Sequence, residues 1–248
     1  MRLLHPERIH PTLWRASQLA LGGLRHLPTG HSGLDEALGG GWPLGALIEL
    51  LPEHAGIGEV HLLCPALEGL ADRCQPTLLL NPPYAPSMQC WAAWGLRPND
   101  VVWVRTSSSR DTTWAVTQIL HYQSCAALLC WAHTTPYADL LQWHRLARRG
   151  SALVVLYRPH DTARRDSPAS LRVDLRAIPG GLRASFLKCP GPIPSARDLT
   201  LYPYDHDLDQ PGPAAPPGRL PRTAGTPVSL HTAPDDAGTA THGTGSDR

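Results

Sequence analysis

The chain has 248 residues, 42% of them apolar, which is enough for one ordinary domain with a sizeable core plus extensions. A formal net charge of +1 excludes a global field that would draw the chain to nucleic acid or to a membrane surface. No run approaches the roughly 20 apolar residues of a membrane-spanning helix; the first fifteen residues lack the apolar core of a signal peptide, and the six cysteines include no C-x-x-C pair. The expectation is a soluble, cytoplasmic chain with no membrane partner.

In chain order, "RASQLALGGLRHL" (15–27) reads as a first helix, and residues 1–28 as an N-terminal helical segment. "HSGLDEALGG" (31–40) reads as a short helix with Ser32 as N-cap and Asp35 at the third helical position, stopped by Gly39, Gly40 and Gly41. "GALIELL" (45–51) is the first strong strand. A helix follows over about 59–72, then strand 77–81, helix 85–96, strand 100–105, helix 111–123, strand 126–132, helix 136–149 and strand 152–158. The strands are continuous apolar runs, as strands buried on both faces are, and their alternation with helices predicts an α/β fold with a mostly parallel sheet. The pattern then changes. "LRVDLRA" alternates apolar and charged residues, "IPGG" turns and "LRASFLK" returns, which predicts a C-terminal antiparallel hairpin with one wet face. The core is bounded at 29–200. Residues 201–248 form a Pro/Gly-rich tail with few large apolar residues, read as disordered.

The stretch following the first strand carries the functional question. Pro52, Glu53, Gly56, Ile57, Gly58 and Glu59 have the strand–turn–helix layout of a phosphate-binding loop. Yet the only lysine in the chain is Lys188. Residues 30–60 hold Asp35, Glu36, Glu49, Glu53 and Glu59 and no Arg or Lys. A carboxylate about 6 Å from a phosphate costs about 3 kcal/mol at an effective dielectric near 20.

"PTGHSGLDEALGGGWPLGALIELLPEHAGIG" (28–58) resembles the start of a RecA-type ATPase core. Thr29, Gly30, Leu34, Asp35, Leu38, Gly39, Gly40, Gly41, Gly45, Glu49, Pro52, Glu53 and Gly56 match that pattern in order. The resemblance implies a RecA-like fold. Its chemistry does not carry over: the Lys position holds Ile57 and the Ser/Thr position Gly58, so nothing neutralises the β- and γ-phosphates or holds Mg²⁺. The strand "AALLCWAH" (126–133) ends without the Asp that would support the metal. The reading is therefore no enzyme, no cofactor, no metal site, and a degenerate loop at Pro52, Glu53, Gly56, Ile57, Gly58 and Glu59.

Pro52, Gly56, Ile57, Gly58, Glu59 and Val60 reproduce a "P-x-x-G-I-G-E-[LV]" loop. With "GGGWPLGAL" (39–47), "PPYAP" (82–86), "CAALLCW" (125–131) and "GGLRASFLKCPGP" (180–192), the chain resembles the ImuA family, which is grouped with SulA-like proteins. The likeness spans about residues 13–192, and it departs at Thr117, where family members often carry Glu. The resemblance implies a role in SOS-induced, error-prone translesion DNA synthesis. The implied partners are an ImuB-like Y-family polymerase homologue and an error-prone DnaE-type polymerase. Two alternatives belong to other classes. One is a SulA-like cell-division inhibitor that binds a tubulin-like GTPase. The other is a DNA-stimulated ATPase, whose replacement lysine could only be Lys188.

The remaining constellations have bland readings beside sharper ones. Ser32 is a helix cap before it is a nucleophile. His54, Glu59 and His61 do not have the H-E-x-x-H spacing of a zinc site. Trp91 and Trp94 form one packed helix face, with stacking on single-stranded DNA as the functional reading. Between 140 and 190, nine arginines and Lys188 face three aspartates. Of these, Arg145, Arg148, Arg149, Arg158, Arg164, Arg165, Arg172 and Arg183 are candidates for a surface that meets single-stranded DNA or an acidic partner, and a solvated basic face is the bland reading.

Overall fold

The computed structural model describes residues 25–190 and 198–202, and the backbone of 228–230. The helix expected over 15–27 and most of the 1–28 segment lie outside the described residues. Within them, His26–Leu27 form strand β1, antiparallel to β2 (Trp42–Pro43), so that helix does not reach residue 27.

The strands read from the apolar runs are present: β3 (Ala46–Pro52), β4 (Thr77–Leu80), β5 (Val101–Thr106), β6 (Ala127–Trp131) and β7 (Leu153–Tyr157). With β8 (Leu171–Ile178), they form the parallel body of a nine-stranded sheet in the order β10-β9-β8-β3-β7-β6-β4-β5-β11. The expected hairpin is β8 and β9 (Gly181–Lys188), antiparallel through a turn at Gly180. Strand β10 (Asp198–Leu201), which crosses the boundary drawn at 200, adds an antiparallel edge that the sequence reading did not include. From 203 onward, the tail lies outside the described residues except for β11 (Val228–Leu230), whose backbone pairs in parallel with β5.

Both faces of the sheet are covered, which is why the strands are apolar without alternation. On one face, Ile48, Leu50, Leu79, Leu129, Val155 and Tyr157 pack under Trp42, Leu62, Leu63 and Trp91. These come from β2, the segment after β3 and helix α3 (Met88–Ala93). On the other, Leu47, Leu78, Leu128, Val154 and Leu156 pack under α4 (Ser109–Tyr122) and α5 (Tyr137–Ala147), with Val116, Leu120, Leu140 and Trp143 inserted.

The first short helix, α1, spans Ser32–Leu38. Its N-cap is His31, not Ser32; the Asp35 carboxylate accepts instead from the Thr29 N–H at 2.7 Å. The helix expected over 59–72 is broken into a 3₁₀ turn at His61–Leu63, helix α2 (Cys64–Glu68) and a second 3₁₀ turn at Ala71–Arg73. Pro65, which has no N–H to donate, interrupts the ladder, and after Gly69, whose N–H still reaches the Pro65 carbonyl, the Leu70 N–H turns to the Leu67 carbonyl. Two glycines of "GGGWPLG" have steric reasons. Gly41 has φ 118° and a Cβ there would overlap the Leu27 carbonyl; Gly45 has φ 65° and a Cβ would overlap that of Gly150. Among the described residues, no helix is long and apolar enough to cross a membrane.

Candidate functional site

Strand β3 lies inside the sheet, between β7 and β8, and delivers its C-terminal end to the loop 53–60. Gly56 and Gly58 have φ of 86° and 102°, so the chain makes the left-handed turns a phosphate-binding loop would need. The Gly56 N–H, however, donates to both carboxylate oxygens of Glu59, each at 3.1 Å. Glu59 is 3% exposed, so its carboxylate sits inside the turn. The loop carries its own anion where a bound anion would take that donor.

The other loop residues are also committed. Ile57, at the lysine position, is buried in the core cluster. The Glu53 carboxylate accepts from the Ala177 N–H at 2.9 Å, and the Glu53 N–H donates to the Leu175 carbonyl, which ties the loop to β8. The Glu59 carbonyl accepts from the Tyr157 hydroxyl at 3.2 Å. Burial, then the nearby Glu59 and Cys64, push the Tyr157 phenol well above its ordinary range, so it remains a donor. Tyr157 in turn stacks on Trp131 with ring centroids 4.5 Å apart. His54 and His61 do not join Glu59 at a common point: His54 lies 3.8 Å from Glu53, and the His61 ring lies 5.0 Å from that of Trp94.

Beside the loop, at the C-terminal ends of β3, β4 and β6, an apolar cavity of about 300 Å³ opens between Gly56–His61, Pro82–Ser87, Trp91, Trp94 and Trp131. A polar cavity of similar volume lies across Trp131, at the start of α4, lined by Asn81, hydroxyls of 106–113 and His133–Thr135. Asn81 has φ 54°; its amide donates to the hydroxyls of Thr106 (2.7 Å) and Thr112 (3.2 Å) and its oxygen accepts from the Thr106 N–H. Neither cavity follows from a local motif, because each is assembled from the ends of several strands. Trp91, placed by the sequence on a packed helix face, is 4% exposed and forms part of the apolar wall.

Two of the eight candidate surface arginines are not on the surface. Arg158 and Arg172 are 4% and 7% exposed, and both bond Glu49, which is fully buried on β3. Arg158 Nη1 lies 3.0 Å from Glu49 Oε1, and Arg172 Nε lies 2.7 Å from Oε2. Ser167 Oγ donates to Oε1 at 2.6 Å. The remaining Arg172 donors reach the carbonyls of Thr162 and Arg165, each at 3.0 Å, and so pin the 158–170 connection to the sheet. The expected wet face of the hairpin is thus dry where Arg172 and Asp174 stand, because Glu49 is the register partner of Arg172 and the connection covers both. A charged residue inside the run "ALIELLP" was the signal: a buried carboxylate requires cations.

Arg145, Arg148, Arg149, Arg164, Arg165 and Arg183 are exposed, but they do not form one surface. Arg164 and Arg165 lie on the connection after β7, where Arg165 faces Asp161 at 3.8 Å. Arg183 stands on β9 between Arg176 and Thr200. Arg145, Arg148 and Arg149 cluster at the C-terminal end of α5, the opposite end of the sheet from the loop 53–60. Compared with known proteins, the chain matches no family model and no curated protein sequence.

Proposed function

We propose that this chain is a non-catalytic RecA-like adaptor of a damage-induced, error-prone translesion DNA synthesis complex. The pathway and the partners, an ImuB-like Y-family polymerase homologue and an error-prone DnaE-type polymerase, rest on the resemblance of residues 13–192 to the ImuA family. The observation that carries the non-catalytic part is the Glu59 carboxylate on the Gly56 N–H, with Ile57 buried where a lysine would be required. The turn of a nucleotide loop is kept and its anion is supplied internally. In this reading the sheet, both cores and the Glu49 cluster present the scaffold's surfaces without a bound nucleotide.

Deleting the gene tests the cellular role. The expected result is loss of damage-induced mutagenesis with accurate repair intact. Unchanged mutagenesis, or a division arrest on overproduction through binding of the tubulin-like GTPase, overturns the proposal.

A further inference from the structure

Cations are found at both edges of the sheet. Near the C-terminal ends of the strands, Arg165 faces Asp161, and Arg176 and His160 face Asp174, while Arg164 and Arg183 form no ion pair among the described residues. At the N-terminal ends three arginines lie on one helix end. Arg145, Arg148 and Arg149 are exposed and form no ion pair among the described residues. The half-buried His144 imidazole beside them is depressed below its ordinary value, first by burial and then by Arg148, Lys188 and Arg145.

The positive strip continues from there. Gln123 donates to the Arg149 carbonyl at 2.7 Å and Gln75 donates to the Gln123 carbonyl at 2.9 Å, which joins the turn after α5 to the entries of β6 and β4. Arg73 donates to the Ser151 carbonyl at 2.7 Å, and its own pKa is lowered by burial and then by Arg25. Arg25 is exposed, and its carbonyl holds the Leu44 N–H at the entry of β3. Asp72 neighbours Arg73 in the chain, and the Asp100 carboxylate is taken by Arg97 at 2.7 Å.

We propose that this N-terminal edge of the sheet binds the phosphate backbone of nucleic acid, through Arg145, Arg148 and Arg149 with Arg25, Arg73 and Lys188 alongside. Guanidinium forks match phosphate oxygens, and a row of them across several strand entries suits a repeating polyanion. None of these groups is an aromatic platform, so the contact reads backbone and not base. Single-stranded and duplex DNA share this chemistry. The inference deepens the adaptor reading and rests on it for its place in the cell, yet its test needs only the purified chain.

The test is fluorescence anisotropy of the full chain with a labelled oligothymidylate and a labelled duplex of equal length, between about 50 and 200 mM salt. The R145A/R148A/R149A variant should bind at least about tenfold more weakly than wild type, and its plot of log affinity against log salt should be shallower by about 2 for the single strand or about 3 for the duplex. The arm with the larger loss identifies the source. Replacing the same three residues with lysine should largely restore binding, and R164A/R165A should bind as wild type does; circular dichroism melts verify that each variant is folded. The proposal is overturned if wild type binds neither probe at about 50 mM salt, if R164A/R165A loses as much as the triple variant, or if polyglutamate binds as tightly as DNA and is lost in the same variant, which assigns the edge to an acidic protein. A failed adaptor reading leaves these results unmoved, because no partner protein is present.

Discussion

Glu59 has two jobs in the loop: its carboxylate satisfies the Gly56 N–H and its carbonyl receives the Tyr157 hydroxyl. Glu59→Ala removes the first and leaves a donor without its partner, so it should lower unfolding stability by about 1–3 kcal/mol in urea titrations. ATP should still not bind, because Ile57 and Gly58 remain; calorimetry showing a micromolar site in either wild type or this variant would contradict the assignment of the loop. Glu49→Ala should cost more, about 3–5 kcal/mol, since it strands the buried guanidinium groups of Arg158 and Arg172. His144 gives a pH dependence. Its folded pKa is depressed, so below the unfolded value of about 6.5 the unfolded chain binds more protons and stability falls as pH falls. Urea midpoints of wild type should decline through that range, and His144→Gln should flatten the decline. Burial pushes the thiols of Cys64, Cys125, Cys130 and Cys189 up to about 12, so only the exposed Cys74 and Cys90 should react with a thiol reagent in the native protein at neutral pH.

At the scale of elements, the central strands were legible because burial on both faces writes itself as an unbroken apolar run. Helices α4 and α5 were legible from their length and spacing. The segment after β3 was not, because Pro65 breaks a pattern whose apolar spacing still looks helical. The hairpin was legible as a pair of strands, but not as to which face is dry: alternating charge reads the same whether Arg172 meets water or Glu49. The candidate site divides along the same line. The degenerate loop is contiguous in sequence and was readable there, whereas the bond from Gly56 to Glu59 and the two cavities depend on the fold. Strand β10 is a further case, four residues with one buried side chain, Leu201. Leu201→Ala should destabilise the chain by about 2–4 kcal/mol, measured by thermal or urea unfolding, because Leu201 closes the core under the last edge of the hairpin.

The whole molecule carries a closed loop at one end of the sheet and a basic edge at the other. In the adaptor reading nucleotide has no part in how the surfaces of the scaffold between them are presented. The most direct measurement is size-exclusion chromatography of the purified chain mixed with the ImuB-like protein, run without nucleotide and again with ATP and Mg²⁺. A co-eluting complex is expected in both runs, with the same elution position and the same recovery. No complex in either run, or a complex that forms only when ATP is present, would contradict the adaptor reading.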